Sequence, residues 1–166
     1  MITLVLGGAR SGKSSVAERL AAGLGDPVTY LATLALGGDP DLAARVDAHR
    51  ARRPAQWVTV EAAAGLPAAL RAVTGTAVVD SLGPWVAAAP EMVADLDELG
   101  AAMAGRRGDT VVVSEEVGLG VHPASDAGRR FRDALGTANQ FVAAMADDVL
   151  LVVAGRVLRL DSGPVQ

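Results

Sequence analysis

No cysteine occurs in the 166 residues. That excludes a disulfide framework and any thiolate metal site. Aromatic residues make up only 3%, too few for the stacking platforms of single-strand nucleic-acid binders. Basic residues are outnumbered, 15 against 19 acidic, leaving a net charge of −4. A general nucleic-acid binder needs a basic face, so that class is excluded as well. No apolar run approaches the roughly 20 residues that span a bilayer. The opening MITLVLGGAR lacks the basic segment of a secretory signal. The expectation is a cytoplasmic protein with no nucleic-acid partner and no need of a membrane. Lysine is nearly absent too: Lys13 is the only one, and the other basic residues are all arginine.

What is present is apolar and periodic. Hydrophobic residues make up 51%, which argues against disorder and for one domain with a sizeable core. ITLVL (2–6), VTYLAT (28–33), WVTVE (57–61), TAVVD (76–80) and TVVVSEE (110–116) read as strands. DVLLVVAGRVLRL (148–160) reads as two strands folded about Ala154-Gly155. Between them, 14–24, 40–52, 66–73, 91–104 and 128–147 have helical spacing, with Asp39 an expected N-cap before Pro40. Strands alternating with helices predict an α/β fold, a mainly parallel central sheet flanked by helices with a C-terminal strand hairpin; the motif GGARSGKS at 7–14 makes it P-loop NTPase-like. Residues 1–160 form one domain in this reading, and 161–166 a loose tail.

Ligands of such sheets bind at the carboxyl ends of the strands. The residues there are Gly7 to Ser14, Ala32, Thr33 and Leu34 beyond it, Glu61, Asp80-Ser81 and Glu115-Glu116. GGARSGKS (7–14) fits G-x-x-x-x-G-K-[ST] between a strand and a helix. Gly7, Gly8, Ala9, Arg10, Ser11 and Gly12 would turn backbone N–H groups onto phosphate oxygens. Lys13 would neutralise the β/γ-phosphates, and Ser14 would ligate Mg²⁺. Asp80 ends its strand as a metal-holding carboxylate would, although a plain strand-end cap is the bland alternative. Of the adjacent Glu115 and Glu116, one is expected to face the same metal.

DAHRARRPAQW (47–57) poses a different question. On a helix at 100° per residue, His49 lies beside the apolar stripe of Leu42 and Val46, with Arg45 and Arg52 flanking it. Arginine clusters receive phosphates, and they disfavour a protonated imidazole. A neutral histidine facing a phosphate is what covalent nucleotidyl transfer needs. The competing reading is a basic last helical turn with an incidental histidine, and spacing alone favours it.

GGARSGKS, Tyr30-Leu31-Ala32-Thr33, ARVDAHRARRPAQWVTVE, EVGLGVHP, GRRFRDALGTANQ and LVVAGRVLRL together resemble one family over nearly the whole chain. This is the bifunctional adenosylcobinamide kinase / adenosylcobinamide-phosphate guanylyltransferase family of cobalamin biosynthesis. The resemblance implies a homotrimer whose substrates are adenosylcobinamide and GTP or ATP. It implies phosphorylation of the substrate hydroxyl, then transfer of GMP from GTP through a guanylylated histidine, to give adenosylcobinamide-GDP. Carried onto this chain, that histidine is His49. Arg50, Ala51, Arg52 and Arg53 contact nucleotide, with Glu61 and Asp80 at the family's acidic positions and Glu116 a further Mg²⁺ ligand. A monofunctional P-loop small-molecule kinase and a non-catalytic nucleotide-binding module are the alternatives.

Two segments depart from the family's usual pattern. DSLGPWV stands where Asp-Cys-Leu-Thr-Leu-Trp is usual, and Gly83-Pro84 is expected to give a stiffer, differently turned loop. Glu115 stands where Asn is common, which adds a charge beside Glu116.

Overall fold

The computed structural model describes residues 1–25, 27–34 and 53–161. The expected helix over 40–52 and its Asp39 cap, together with His49, Arg50, Ala51 and Arg52, lie outside the described residues. The tail beyond Asp161 does so as well.

Seven strands form one sheet in the order β3-β2-β4-β5-β1-β6-β7. They are β1 (Ile2–Gly7), β2 (Val28–Ala32), β3 (Val58–Glu61), β4 (Thr76–Asp80), β5 (Thr110–Glu115), β6 (Asp148–Val153) and β7 (Arg156–Leu160). All neighbours run parallel except β7, which returns antiparallel to β6. The sheet is therefore mainly parallel with a C-terminal hairpin, as the sequence predicts. Its central strands are almost continuously apolar because helices cover both faces. The period-two alternation divides them cleanly. Val5, Val78, Val111 and Val113 pack with Val16, Ala17 and Ala21 of α1 (Lys13–Ala22). Leu4, Leu6, Val79 and Val112 pack on the other face with buried residues of α2 (Leu66–Ala72), α3 (Leu82–Ala88), α4 (Leu96–Ala104) and α5 (Asp126–Met145).

Three boundaries differ from the sequence reading, each for a local reason. DSLGPWV is not a loop: Leu82–Ala88 is helical from an extended Ser81 onward. Pro84 sits in its first turn, where a missing N–H costs no intrahelical bond. Leu82, Trp85 and Val86 are then buried on one side. The stretch 91–104 is broken, with a short 3-10 turn over Pro90–Met92 and the helix proper starting after Asp95. Asp95 caps it by accepting from the Glu98 N–H at 2.8 Å. The last helix starts earlier than Gly128, because Ser125 Oγ accepts from the Gly128 N–H at 3.1 Å. None of these helices is long and apolar enough to cross a membrane, among the described residues.

Register puts the functional positions along one edge. Gly7 pairs with Glu115, Asp80 with Val113 and Ala32, and Ala32 with Glu61. The ends of β1, β5, β4, β2 and β3 thus open on the same side.

Candidate active site

The phosphate loop leaves β1 at Gly7 and enters α1 at Lys13. Two of its glycines are required by geometry. A Cβ on Gly7 would come within 2.7 Å of the Val152 carbonyl oxygen and 2.4 Å of Ser11 Oγ. Gly12 has φ +94°, in the left-handed region. Gly12 is also the N-cap of α1 and has no side chain to cap it; Ser11 Oγ accepts weakly from the Lys13 N–H at 3.4 Å, and no carboxylate lies in the helix's first turn. Its positive end is thereby left for an external anion. The hairpin turn braces the loop from the far side: the Gly155 N–H donates to the Ser11 carbonyl at 2.8 Å. Gly8, Ala9 and Arg10 are exposed around the opening.

Lys13 Nζ reaches back to the Gly8 carbonyl at 3.5 Å and lies 3.7 Å from Glu115 Oε1. Ser14 Oγ donates to Asp80 Oδ1 at 3.3 Å, so the hydroxyl and carboxylate expected to share a metal are together. Tyr30 OH donates to the other oxygen, Asp80 Oδ2. Burial, and then the Asp80 carboxylate beside it, push the Tyr30 phenol far above its ordinary value. Tyr30 is therefore a permanent donor that orients Asp80.

Arg53 covers the back of this tyrosine. Its guanidinium carbon is 3.2 Å from the Tyr30 ring centroid, Nε is 3.4 Å from Glu18 Oε1, and an Nη donates to Thr59 Oγ1 at 3.3 Å. Its side chain is only 7% exposed. The structure thus places Arg53, expected from the sequence to contact nucleotide, as a pin between α1, β2 and β3. Glu18 stands one turn after Ser14 on the helix surface. Ser14, Asp80, Tyr30, Arg53 and Glu18 form a continuous polar chain.

The remaining strand-end residues divide. Thr33 is buried and committed to the β4 end, donating to the Ser81 carbonyl at 2.5 Å and accepting from the Ser81 N–H at 3.0 Å. The Ala32 carbonyl accepts from the Ala62 N–H at 2.8 Å. Leu34 is exposed, and Glu61 stands at the exposed end of β3, with β2 between it and Asp80. Glu116, expected as a metal ligand, instead accepts from the Gly118 N–H at 2.6 Å and lines a cavity of about 530 Å³ with Leu6, Asn139 and Gln140. Glu115 takes the place beside Lys13. Nothing in the spacing of two adjacent glutamates at a strand end separates them. The sequence marks Ser81 only as a strand-end residue and Gly83 only as part of a departing segment; that they surround Glu115 together with Asn139 comes from the packing of α3 and α5.

Mg²⁺ prefers hard oxygen ligands, keeps several waters and is held by one or two carboxylates plus phosphates. Ser14 and Asp80 supply that set. No cluster of three or more acidic, histidine or cysteine ligands occurs among the described residues.

The family described as "Cobinamide kinase / cobinamide phosphate guanyltransferase" matches residues 3–160. The bifunctional adenosylcobalamin biosynthesis protein CobP of Pseudomonas aeruginosa is 38% identical, over 99% of this chain and all of that protein. CobU of Escherichia coli, with the same bifunctional description, is 37% identical over 93% of this chain and 97% of that protein. Among solved structures, the flagellar accessory protein FlaH of Methanocaldococcus jannaschii superposes with a TM-score of 0.51 at 14% identity, covering 94% of this chain and 74% of FlaH. That likeness concerns the fold alone. With its phosphate loop, its Asp80–Ser14 pair and a match along almost its entire length, the chain belongs to the cobinamide kinase / cobinamide phosphate guanyltransferase family.

Proposed function

We propose that this chain phosphorylates adenosylcobinamide with a nucleoside triphosphate and then transfers GMP from GTP to the product through His49. The observation that carries the reading is the phosphate loop: a lone lysine aimed along it, a helix start with no carboxylate in its first turn and a serine hydroxyl on Asp80.

In the kinase step the substrate hydroxyl oxygen attacks the γ-phosphorus and its proton is released to solvent. The bond to the β,γ-bridging oxygen breaks and the nucleoside diphosphate leaves. Loop N–H groups and Lys13 hold the developing charge. Ser14 and Asp80 would hold Mg²⁺, which would supply neutralisation of phosphate charge there. In the transferase step a neutral ring nitrogen of His49 attacks the α-phosphorus of GTP. A P–N bond forms and pyrophosphate leaves. A phosphate oxygen of the substrate then attacks the same phosphorus, and the P–N bond breaks to give adenosylcobinamide-GDP.

Arg50, Ala51 and Arg52 contact the nucleotide in this reading. Arg53 instead anchors the segment that ends in His49 and its arginines, since its own guanidinium is committed to Tyr30 and Glu18. A homotrimer in the cytoplasm completes the proposal. Val157 and Leu158 on the edge strand β7 are exposed apolar side chains available to a neighbouring copy.

His49→Asn tests the division of labour. The variant should still phosphorylate adenosylcobinamide and should form no GDP derivative. Undiminished formation of that derivative would remove His49 from the mechanism.

A further inference from the structure

Glu115 is placed with unusual care for a residue at a strand end. Its Oε1 accepts from Ser81 Oγ at 2.8 Å and lies 3.7 Å from Lys13 Nζ. Its backbone carbonyl accepts from Asn139 Nδ2 of α5 at 3.0 Å. Its Oε2 is buried, with no hydrogen-bond partner among the described residues. That oxygen lies over Gly83: a Cβ there would come within 2.4 Å of it. Only glycine at 83 leaves room for this carboxylate position.

A carboxylate beside the single ammonium of the phosphate loop has two electrostatic consequences. Without nucleotide, Lys13 has a counter-charge that holds it at the loop. With a triphosphate on the loop, a carboxylate 3.7 Å from Lys13 Nζ would stand near the γ-phosphate, and like charges repel. The repulsion declines as the γ-phosphoryl loses charge in a loose, metaphosphate-like transition state. An interaction that opposes the ground state more than the transition state raises the transfer rate at the expense of affinity.

We propose that Glu115 is a positioning residue that sets Lys13 and opposes ground-state binding of the γ-phosphate, and that Gly83 is the position that admits it. This rests on the reading of the loop as a triphosphate site.

The test measures binding of a fluorescent GTP or ATP analogue, and of the matching diphosphate, in Mg²⁺ buffer. Single-turnover phosphorylation of adenosylcobinamide supplies the rate. Glu115→Gln keeps size and should bind triphosphate about tenfold more tightly while transferring about tenfold more slowly. Diphosphate affinity should change far less, because the γ-phosphate is missing. Gly83→Ala displaces only the tip of a flexible side chain and should retain the wild-type melting temperature. It should move affinity and rate in the same directions as Glu115→Gln. The double variant should go no further than Glu115→Gln alone. Failure of the wild type to bind triphosphate would overturn the site reading itself. Triphosphate binding by the wild type, with unchanged or weaker binding by Glu115→Gln, would overturn the positioning role alone. Additive effects of the two substitutions would overturn the part given to Gly83.

Discussion

Lys13 shows how far a single residue was legible in the sequence. The phosphate loop is a local motif, so its residues are fixed by neighbours in the chain, and the structure sets Lys13 against Gly8 and Ser14 against Asp80. Lys13→Ala should abolish both activities, because neither the β/γ-phosphates nor the leaving group keeps an ammonium. Assays of kinase and transferase turnover check this, and full turnover in either would free that step from the loop. Residues that depend on distant partners were not legible. Choosing between Glu115 and Glu116 requires Ser81 and Gly83, some thirty residues earlier, to be in place. Tyr30 could be quoted as a strand residue, but its bond to Asp80 and its cover by Arg53 are properties of the assembled sheet. Tyr30 is also the chain's only tyrosine, which makes its titration readable. Burial and Asp80 raise the folded phenol's pKa above that of the unfolded chain, about 10. Its contribution to stability is complete below that pH and is lost as pH rises above it, where only the unfolded chain sheds the proton. Phenolate absorbance should therefore appear only together with loss of the circular dichroism signal. Phenolate absorbance near pH 10 in still-folded protein would contradict the buried Tyr30–Asp80 bond.

Elements were easiest to read where apolar periodicity and end signals agree. All seven strands follow from short apolar runs, and the β6–β7 turn follows from Ala154-Gly155, both of which have positive φ. The α3 helix was missed because Gly83 and Pro84 look like a loop. Tertiary packing of Leu82, Trp85 and Val86 overrides that local preference. The starts of α4 and α5 were misplaced although Asp95 and Ser125 are good caps, because the hydrophobic spacing extends past one and begins after the other. These caps give a prediction at the same scale. Ser125→Ala should cost about 1 kcal/mol and lower the melting temperature by roughly 2–4 °C for a chain of this size. Nucleotide affinity should stay near wild type, since the cap lies on the far end of α5 from its packed centre at Leu135 and Asn139. Thermal denaturation with and without GTP measures both. A loss of affinity without a loss of stability would mean that the 117–125 segment itself contacts nucleotide.

For the molecule as a whole, the fold class was readable and the strand order was not. Alternating strands and helices indicate a parallel sheet, yet only the three-dimensional pairing shows β5 inserted between β1 and β4. That insertion places Glu115 between Lys13 and Asp80's strand. It also makes the hairpin, remote in sequence, a brace for the phosphate loop through Gly155 and Ser11. The phosphate loop, Asp80 and Glu115 all belong to this single sheet edge. The most direct measurement is the intact mass of the protein after incubation with GTP and Mg²⁺, followed by peptide mapping. Addition of one GMP, on the peptide containing His49 and lost in mild acid as a phosphoramidate should be, is the expected result. No adduct under conditions that support turnover, or an acid-stable adduct on another peptide, would contradict guanylyl transfer through His49.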